Sequence, residues 1–273
     1  IKSRDFININ DQEYKRYFIQ TQKLEHRLSI IIGSRGIGKT TTVAQYINEN
    51  YKDNEALYIN LDDIENTSKY TMTQIAEEFV LNGGKLLCFD EIHKYENWSA
   101  ELKNIYDRFD KLKIIATGSS ALQINKGSHD LSRRAIVYNM VGMSFREFLE
   151  LHYGYKFEAI ELEELLSNHI AIATKVKSII EEKEQKIIPL FKEYLKHGYY
   201  PYFLSMPNEV LFFQTLQQNI NVSIESDLLN IYPKMSGNSI KKIKMLLSVI
   251  IKSVPFEPKM SELKKAADIK DDR

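Results

Sequence analysis

Residues 33–40 read GSRGIGKT and place Gly33, Gly38, Lys39 and Thr40 at the spacing G-x-x-x-x-G-K-[ST]. The chemistry that suits this spacing is the holding of a polyphosphate. Glycines let backbone N–H groups turn inward around an anion with no side chain in the way. A helix that starts at the loop presents its N-terminus to the same charge. In such a cradle Ser34, Arg35, Gly36 and Ile37 complete the loop and Lys39 reaches the β- and γ-phosphates. The Thr40 hydroxyl ligates Mg²⁺, and Thr41 adds a contact on the α-phosphate side. The plainer alternative is a glycine-rich turn with no ligand. At ordinary glycine frequency chance gives the pattern in about one chain in a hundred of this length, so the phosphate reading is preferred.

Two further polar clusters extend the same chemistry. The run LLCFDE ends in Asp90 and Glu91. Asp90 is placed to serve the Mg²⁺, and Glu91 to orient or deprotonate an attacking water. Alone, the two acids would read as solvated residues at a strand end; beside the phosphate loop they are the expected second half of the site. In TGSS (117–120), Ser119 is the candidate to hydrogen-bond the water or the γ-phosphate, with an ordinary turn equally compatible on spacing alone. In LSRR (131–134), Arg133 or Arg134 can stabilise transition-state charge, or simply pair with surface acids. His93 has no partner at metal-ligand spacing and reads as structural. Trp98 and the aromatics of GYYPYF read as packing, and Cys88 as inert core.

The elements that must position these residues follow from hydrophobic pattern. Apolar runs at 28–32, 56–61, 85–92, 113–120 and 134–140 read as strands. Helical periodicity fills 39–50, 71–80 and 97–109 between them. Thr71 with Gln74, and Ser144 with Glu147, form capping boxes at the starts of two helices. Alternating apolar strands and helices imply an α/β fold with a parallel sheet covered on both faces. In such sheets ligands bind at the carboxyl ends of the strands. The phosphate loop, the acid pair and TGSS all fall at those ends. From about residue 144 onward the pattern turns helical, interrupted by GYYP (198–201) and PFEP (255–258).

With 273 residues the chain suggests roughly two domains. Lys+Arg and Asp+Glu number 37 each, so net charge argues for neither nucleic acid nor membrane. A single cysteine allows no internal disulfide and suits a reducing, cytoplasmic setting. No apolar stretch approaches the ~18 residues of a membrane span. The first residue is Ile1, and the natural N-terminus is expected upstream.

Taken in order, GSRGIGKTT, DEIHKYENW, TGSS, LSRRAIVYNMVGMSFREFLEL and HGYYP resemble the motifs of the prokaryotic AAA-superfamily P-loop ATPases of the AAA domain 14 type. His197 stands where that family has the first Gly of G-G-Y-P. The resemblance covers residues 25 to about 205. It implies a sheet ordered 5-1-4-3-2 followed by a helical lid. It also implies a sensor role for Ser119 and a charge-stabilising role for Arg134, from its own chain or from a neighbour; Arg133 replaces a common Gly. Such proteins usually continue into a winged helix and a nuclease-like domain, and SELKKAADI (261–269) is similar to the first helix of that winged helix. The expected organisation is a P-loop ATPase domain over 1–150, a lid over 151–205 and the start of a winged helix over 206–273. Residues 241–273 hold nine basic and five acidic residues, a weak basic bias. The resulting expectation is an ATP- and Mg²⁺-dependent ATPase module coupling nucleotide state to attached or partner domains. Candidate partners are DNA, through the remainder of the winged helix, and further copies of the chain. The alternatives are a nucleotide-gated switch with little hydrolysis and a phosphotransferase. Glu91 favours hydrolysis over the first, and the lack of an acceptor-binding signature disfavours the second.

Overall fold

The computed structural model describes residues 2–62, 70–119, 131–232, 234–253 and 259–268; Ser120, the PFEP breaker and Ile269 lie outside these ranges. The elements are α1 (Lys2–Asn10), α2 (Tyr17–Thr21), β1 (Leu28–Ile32), α3 (Lys39–Asn50), β2 (Ala56–Asn60), α4 (Met72–Leu81), β3 (Leu86–Asp90), α5 (Trp98–Arg108), β4 (Lys113–Gly118), β5 (Ile136–Asn139), α6 (Phe145–Tyr153), α7 (Leu162–Glu181), α8 (Ile187–Glu193), α9 (Glu209–Val222), α10 (Leu228–Ile231), α11 (Gly237–Lys252) and α12 (Met260–Ala266). Residues 1–206 form one compact unit and 207–273 a second. The helices expected as a lid therefore belong to the same unit as the sheet. The second unit holds α9 to α12; α11 begins at a Ser236 cap whose hydroxyl accepts from the Ser239 N–H.

The five strands form one sheet in the order β2-β3-β4-β1-β5, every pair parallel. This is the 5-1-4-3-2 order implied by the resemblance. Period-2 alternation sorts β1 between two cores. Leu28, Ile30 and Ile32 pack with Phe89, Ile114, Met72, Leu102 and Ile105 on the face covered by α4 and α5. Ile31 packs with Cys88, Ile115, Val43 and Ile47 on the α3 face, where Ile7 of α1 joins them. Burying one such aliphatic side chain is worth about 1.5–3 kcal/mol, so burial on both faces holds the helices against the sheet. Both expected capping boxes are present, Thr71 with Gln74 and Ser144 with Glu147. Trp98 is core, as its place on an amphipathic helix predicts.

The segment before β1 was not legible as structure, and it is a strap. The Gln45 side chain in α3 donates to the carbonyls of Gln12 and Tyr14 at 2.6 and 2.8 Å. Arg16 then inserts a buried guanidinium whose Nε donates to Glu147 Oε1 at 2.8 Å, and the Tyr17 N–H donates to the same oxygen at 2.9 Å. Glu147 thereby closes the capping box of α6 and neutralises a buried charge 131 residues away.

This pair makes a prediction about acid stability. Burial by itself would raise the Glu147 carboxyl, but hydrogen bonds and charge from Arg16 outweigh it, and the group sits below its ordinary value of 4.5. A depressed folded value means that the contribution is full above the unfolded value and fades as pH falls through the folded one. Removing one partner of a buried pair costs about 3–5 kcal/mol. Thermal melts of the parent and Glu147→Gln should therefore differ most at neutral pH and converge as pH falls through the depressed Glu147 value. A gap that does not narrow on acidification would show that ionised Glu147 contributes nothing to the fold.

Candidate functional site

The site is built at the carboxyl edge of the sheet. Ile32 pairs with Gly118, and the Gly33 N–H donates to the Gly118 carbonyl at 3.2 Å, so the loop leaves β1 against the end of β4. Gly33 is required by close approach: a Cβ there would lie 2.2 Å from the Met140 carbonyl oxygen. Gly38 is required by conformation, since it caps α3 at φ 97°, a region that L side chains avoid. Lys39 is 5% exposed, and its Nζ donates to the carbonyls of Gly33 and Ser34 at 2.8 and 3.0 Å. A lysine folded back over its own loop, with the loop's glycines opening that space, fits a phosphate anion.

Asp90 is the hub of the second cluster. Its carboxylate accepts from the Thr40 hydroxyl at 2.8 Å, from the Glu91 N–H at 3.0 Å and from the hydroxyls of Thr117 and Tyr58. Register explains the convergence: Asp90 pairs with Asn60 on β2, and Phe89 pairs with Ala116, which sets Thr117 level with Asp90. Burial, and then the neighbouring Asp90 charge, push the Tyr58 hydroxyl far above its ordinary value, so it stays a donor. Thr40 and Asp90 offer hard oxygens side by side. Mg²⁺ suits such a site, because it is commonly held by one or two protein oxygens together with substrate phosphates.

Glu91 follows at φ 52°, ψ 44°, a left-handed state that turns its side chain away from the strand direction. Such backbone costs of order 1–3 kcal/mol and persists only where surroundings impose it. Ser119 Oγ donates to Glu91 Oε2 at 3.1 Å, and His93 Nδ1 lies 3.3 Å from the same oxygen. His93 Nε2 is 3.5 Å from Ser119 Oγ, which closes a triangle of three side chains. Burial raises the Glu91 carboxyl above its ordinary value, opposed by Lys39 and Arg35 and reinforced by Asp90. A buried carboxylate with a raised value is suited to accept a proton.

The structure thus gathers the loop residues 33–41, Asp90, Glu91 and Ser119 at one edge. It does not bring Arg134 there. Ser29 pairs with Ile136, so Arg134 stands two residues before the amino end of β5, at the opposite edge of the sheet from the loop. Its guanidinium donates to both carboxylate oxygens of Asp107, at 2.7 and 2.9 Å. The expected approach within its own chain is corrected by strand direction: a residue entering a parallel strand lies at the edge where β1 also begins.

Sequence reasoning missed three contributors. Thr117 was legible only as part of TGSS. Tyr58 sits mid-strand in β2 and looked like core. His93, read as structural, touches Glu91 and Ser119. The GYYPYF aromatics do pack, Phe203 on Phe148 and His152, and Tyr200 and Tyr202 on the loop: a Cβ on Gly36 would lie 2.6 Å from Tyr202 Cε1 and 3.8 Å from Tyr200 Cδ1. The Tyr199 carbonyl accepts from the Met143 N–H at 2.9 Å, which fixes that segment to the start of α6.

A parallel five-stranded sheet with a glycine loop, a buried lysine and an acid pair at its carboxyl edge defines a P-loop nucleotide-binding fold. Residues 25–149 match the model of the AAA domain family. The uncharacterized protein MJ1637 of Methanocaldococcus jannaschii is 34% identical over 200 residues, which are 68% of this chain and 40% of that protein. The uncharacterized protein MJ1544 of the same organism is 25% identical over 238 residues, 85% of this chain and 48% of that protein. The chain therefore spans less than half the length of either relative. Among solved structures, AMPPCP-bound DnaA from Aquifex aeolicus is 16% identical with a TM-score of 0.34, covering 92% of this chain and 79% of its own. Katanin is 15% identical with a TM-score of 0.36, covering 60% of this chain and 61% of its own. At such values the likeness is too loose to bear on mechanism. Among the described residues, no helix is long and apolar enough to cross a membrane.

Proposed function

We propose that this chain binds ATP with Mg²⁺ and hydrolyses the β–γ bond, and that the hydrolysis drives motion in attached or partner domains. The observation that carries the reading is the hydrogen-bonded continuity of the site: Lys39 is folded over the loop, and Thr40 is bonded to Asp90. The adjacent Glu91 is held by Ser119. Thr40 and Asp90 would hold the cation, which when bound neutralises phosphate charge. Lys39 would give up the carbonyls of Gly33 and Ser34 for phosphate oxygens. Glu91 would take the proton of the attacking water as the water oxygen bonds to the γ-phosphorus and the bridging oxygen leaves with ADP. Ser119 would keep the carboxylate aimed. Self-association, and DNA contact through a winged helix that includes residues 206–273, belong to the same reading.

The direct test is calorimetric titration with Mg-ATP. A hydrogen bond to a charged group is worth about 1.5–3 kcal/mol, so Lys39→Ala should weaken binding by about tenfold to a hundredfold. A folded Lys39→Ala chain that binds Mg-ATP as the parent does would remove the site assignment.

A further inference from the structure

One polar group of the phosphate loop is held from outside it. The Ile37 carbonyl, one residue before Gly38, accepts from Arg16 Nη1. The same guanidinium donates through Nη2 to the Val141 carbonyl at 2.9 Å, and through Nε to Glu147 at 2.8 Å. One buried side chain, 5% exposed, therefore ties together the loop, the segment leaving β5 and the first turn of α6. Nothing in the catalytic scheme above uses it.

The peptide geometry says what the tie controls. In a trans peptide the C=O and N–H lie on opposite sides of the C–N bond. Fixing the Ile37 oxygen on Arg16 therefore fixes the opposite direction for the Gly38 N–H. Gly38, at φ 97°, has backbone freedom that no other residue type would have there. Left to itself, a peptide beside such a glycine is free to flip. Gly38 is also the cap of α3, and the N–H groups at a helix start are the ones an anion meets.

We propose that Arg16 is a positioning residue of the nucleotide site. By holding the Ile37 carbonyl it pre-orients the Gly38 peptide for phosphate, and through Glu147 it fixes that loop geometry to α6. Arg16 does not touch the nucleotide. It acts through the loop backbone, and Glu147 is the anchor that keeps it buried. This rests on the nucleotide reading above and adds to it the segment N-terminal to β1 as part of the site.

The role separates cleanly from simple stabilisation because two variants should part company. Arg16→Lys keeps a cation for Glu147, yet a single ammonium cannot replace the planar fork that spans Glu147, Ile37 and Val141. Its dissociation constant for a fluorescent ATP analogue with Mg²⁺ should rise by about tenfold, the loss of one charged hydrogen bond's worth of loop order. Because the loop grips ground and transition states alike, KM should rise with kcat little changed. Leu102→Ala opens a cavity in the core on the α4 and α5 face of the sheet and touches neither Arg16 nor the loop. It should lower the melting temperature more than Arg16→Lys does, while its dissociation constant stays within about twofold of the parent. All measurements are made on the whole chain, well below each variant's melting temperature. If folded Arg16→Lys binds as the parent does, or if affinity falls in step with melting temperature across both variants, the positioning role is wrong. A parent that fails to bind the analogue removes the nucleotide reading and this inference with it. A parent that binds beside unaffected Arg16 variants removes only the inference.

Discussion

Glu91→Gln will bind Mg-ATP with parental affinity and turn it over about 10² to 10⁴ times more slowly, the range that a positioned acid–base group contributes. The amide is nearly isosteric with the carboxylate and can still bond Ser119, which reaches Glu91 Oε2 at 3.1 Å. What it cannot do is take a proton. Burial raises the Glu91 carboxyl, with Lys39 and Arg35 pulling the other way, so the group takes a proton more readily than an exposed glutamate does. The backbone at Glu91 is left-handed, at φ 52°, and strain of this kind gathers at functional positions. Phosphate release in a single turnover, measured alongside the dissociation constant, separates chemistry from binding. A Glu91→Gln chain releasing phosphate at the parental rate would take the base role from Glu91 and favour the switch or phosphotransferase readings.

What could be read in the sequence was whatever depends on near neighbours or on strand direction. The two capping boxes are i,i+3 pairs, and both appear as expected. The strand runs sort the loop, Asp90 and Ser119 onto one edge because parallel strands put their carboxyl ends together. Tyr58, Thr117 and Arg16 escaped because their partners are set by register and tertiary docking. Tyr58 reaches Asp90 only because Asn60 pairs with Asp90 on the neighbouring strand. Arg16 finds Glu147 across 131 residues, and no local pattern marks an arginine in KRYF as buried. His93 was read as structural because it lacked a metal-spaced partner. Its placement depends on the one-turn helix Ile92–Lys94, which curls it back toward Glu91. Arg134 was the converse case. Its distance from the loop followed from the parallel direction of β5, an inference available from sequence alone once that strand was assigned parallel to β1.

That placement sharpens the expectation for Arg134. Within its own chain it is bonded to Asp107 at the edge where the strands begin, so any contribution to a γ-phosphate must be made to another copy. An arginine supplied in this way is worth about 10³ to 10⁵ in rate when well placed. Three results should then occur together. Specific ATPase activity of the parent should rise with protein concentration. Arg134→Ala should be nearly inactive at every concentration. A mixture of Arg134→Ala with Lys39→Ala should regain activity, because the first chain keeps an intact phosphate loop and the second keeps the arginine to complete it. The bond to Asp107 adds a fourth result: Asp107→Asn releases Arg134 from its ionic partner, and if the contact between copies requires that release, its activity should saturate at lower concentration than the parent's. The opposing account is an exposed ion pair with no catalytic part. On that account activity per chain is flat with concentration, Arg134→Ala retains parental turnover, and mixing adds nothing. Those outcomes would confine the catalytic set to Lys39, Thr40, Asp90, Glu91 and Ser119, a site complete within one chain.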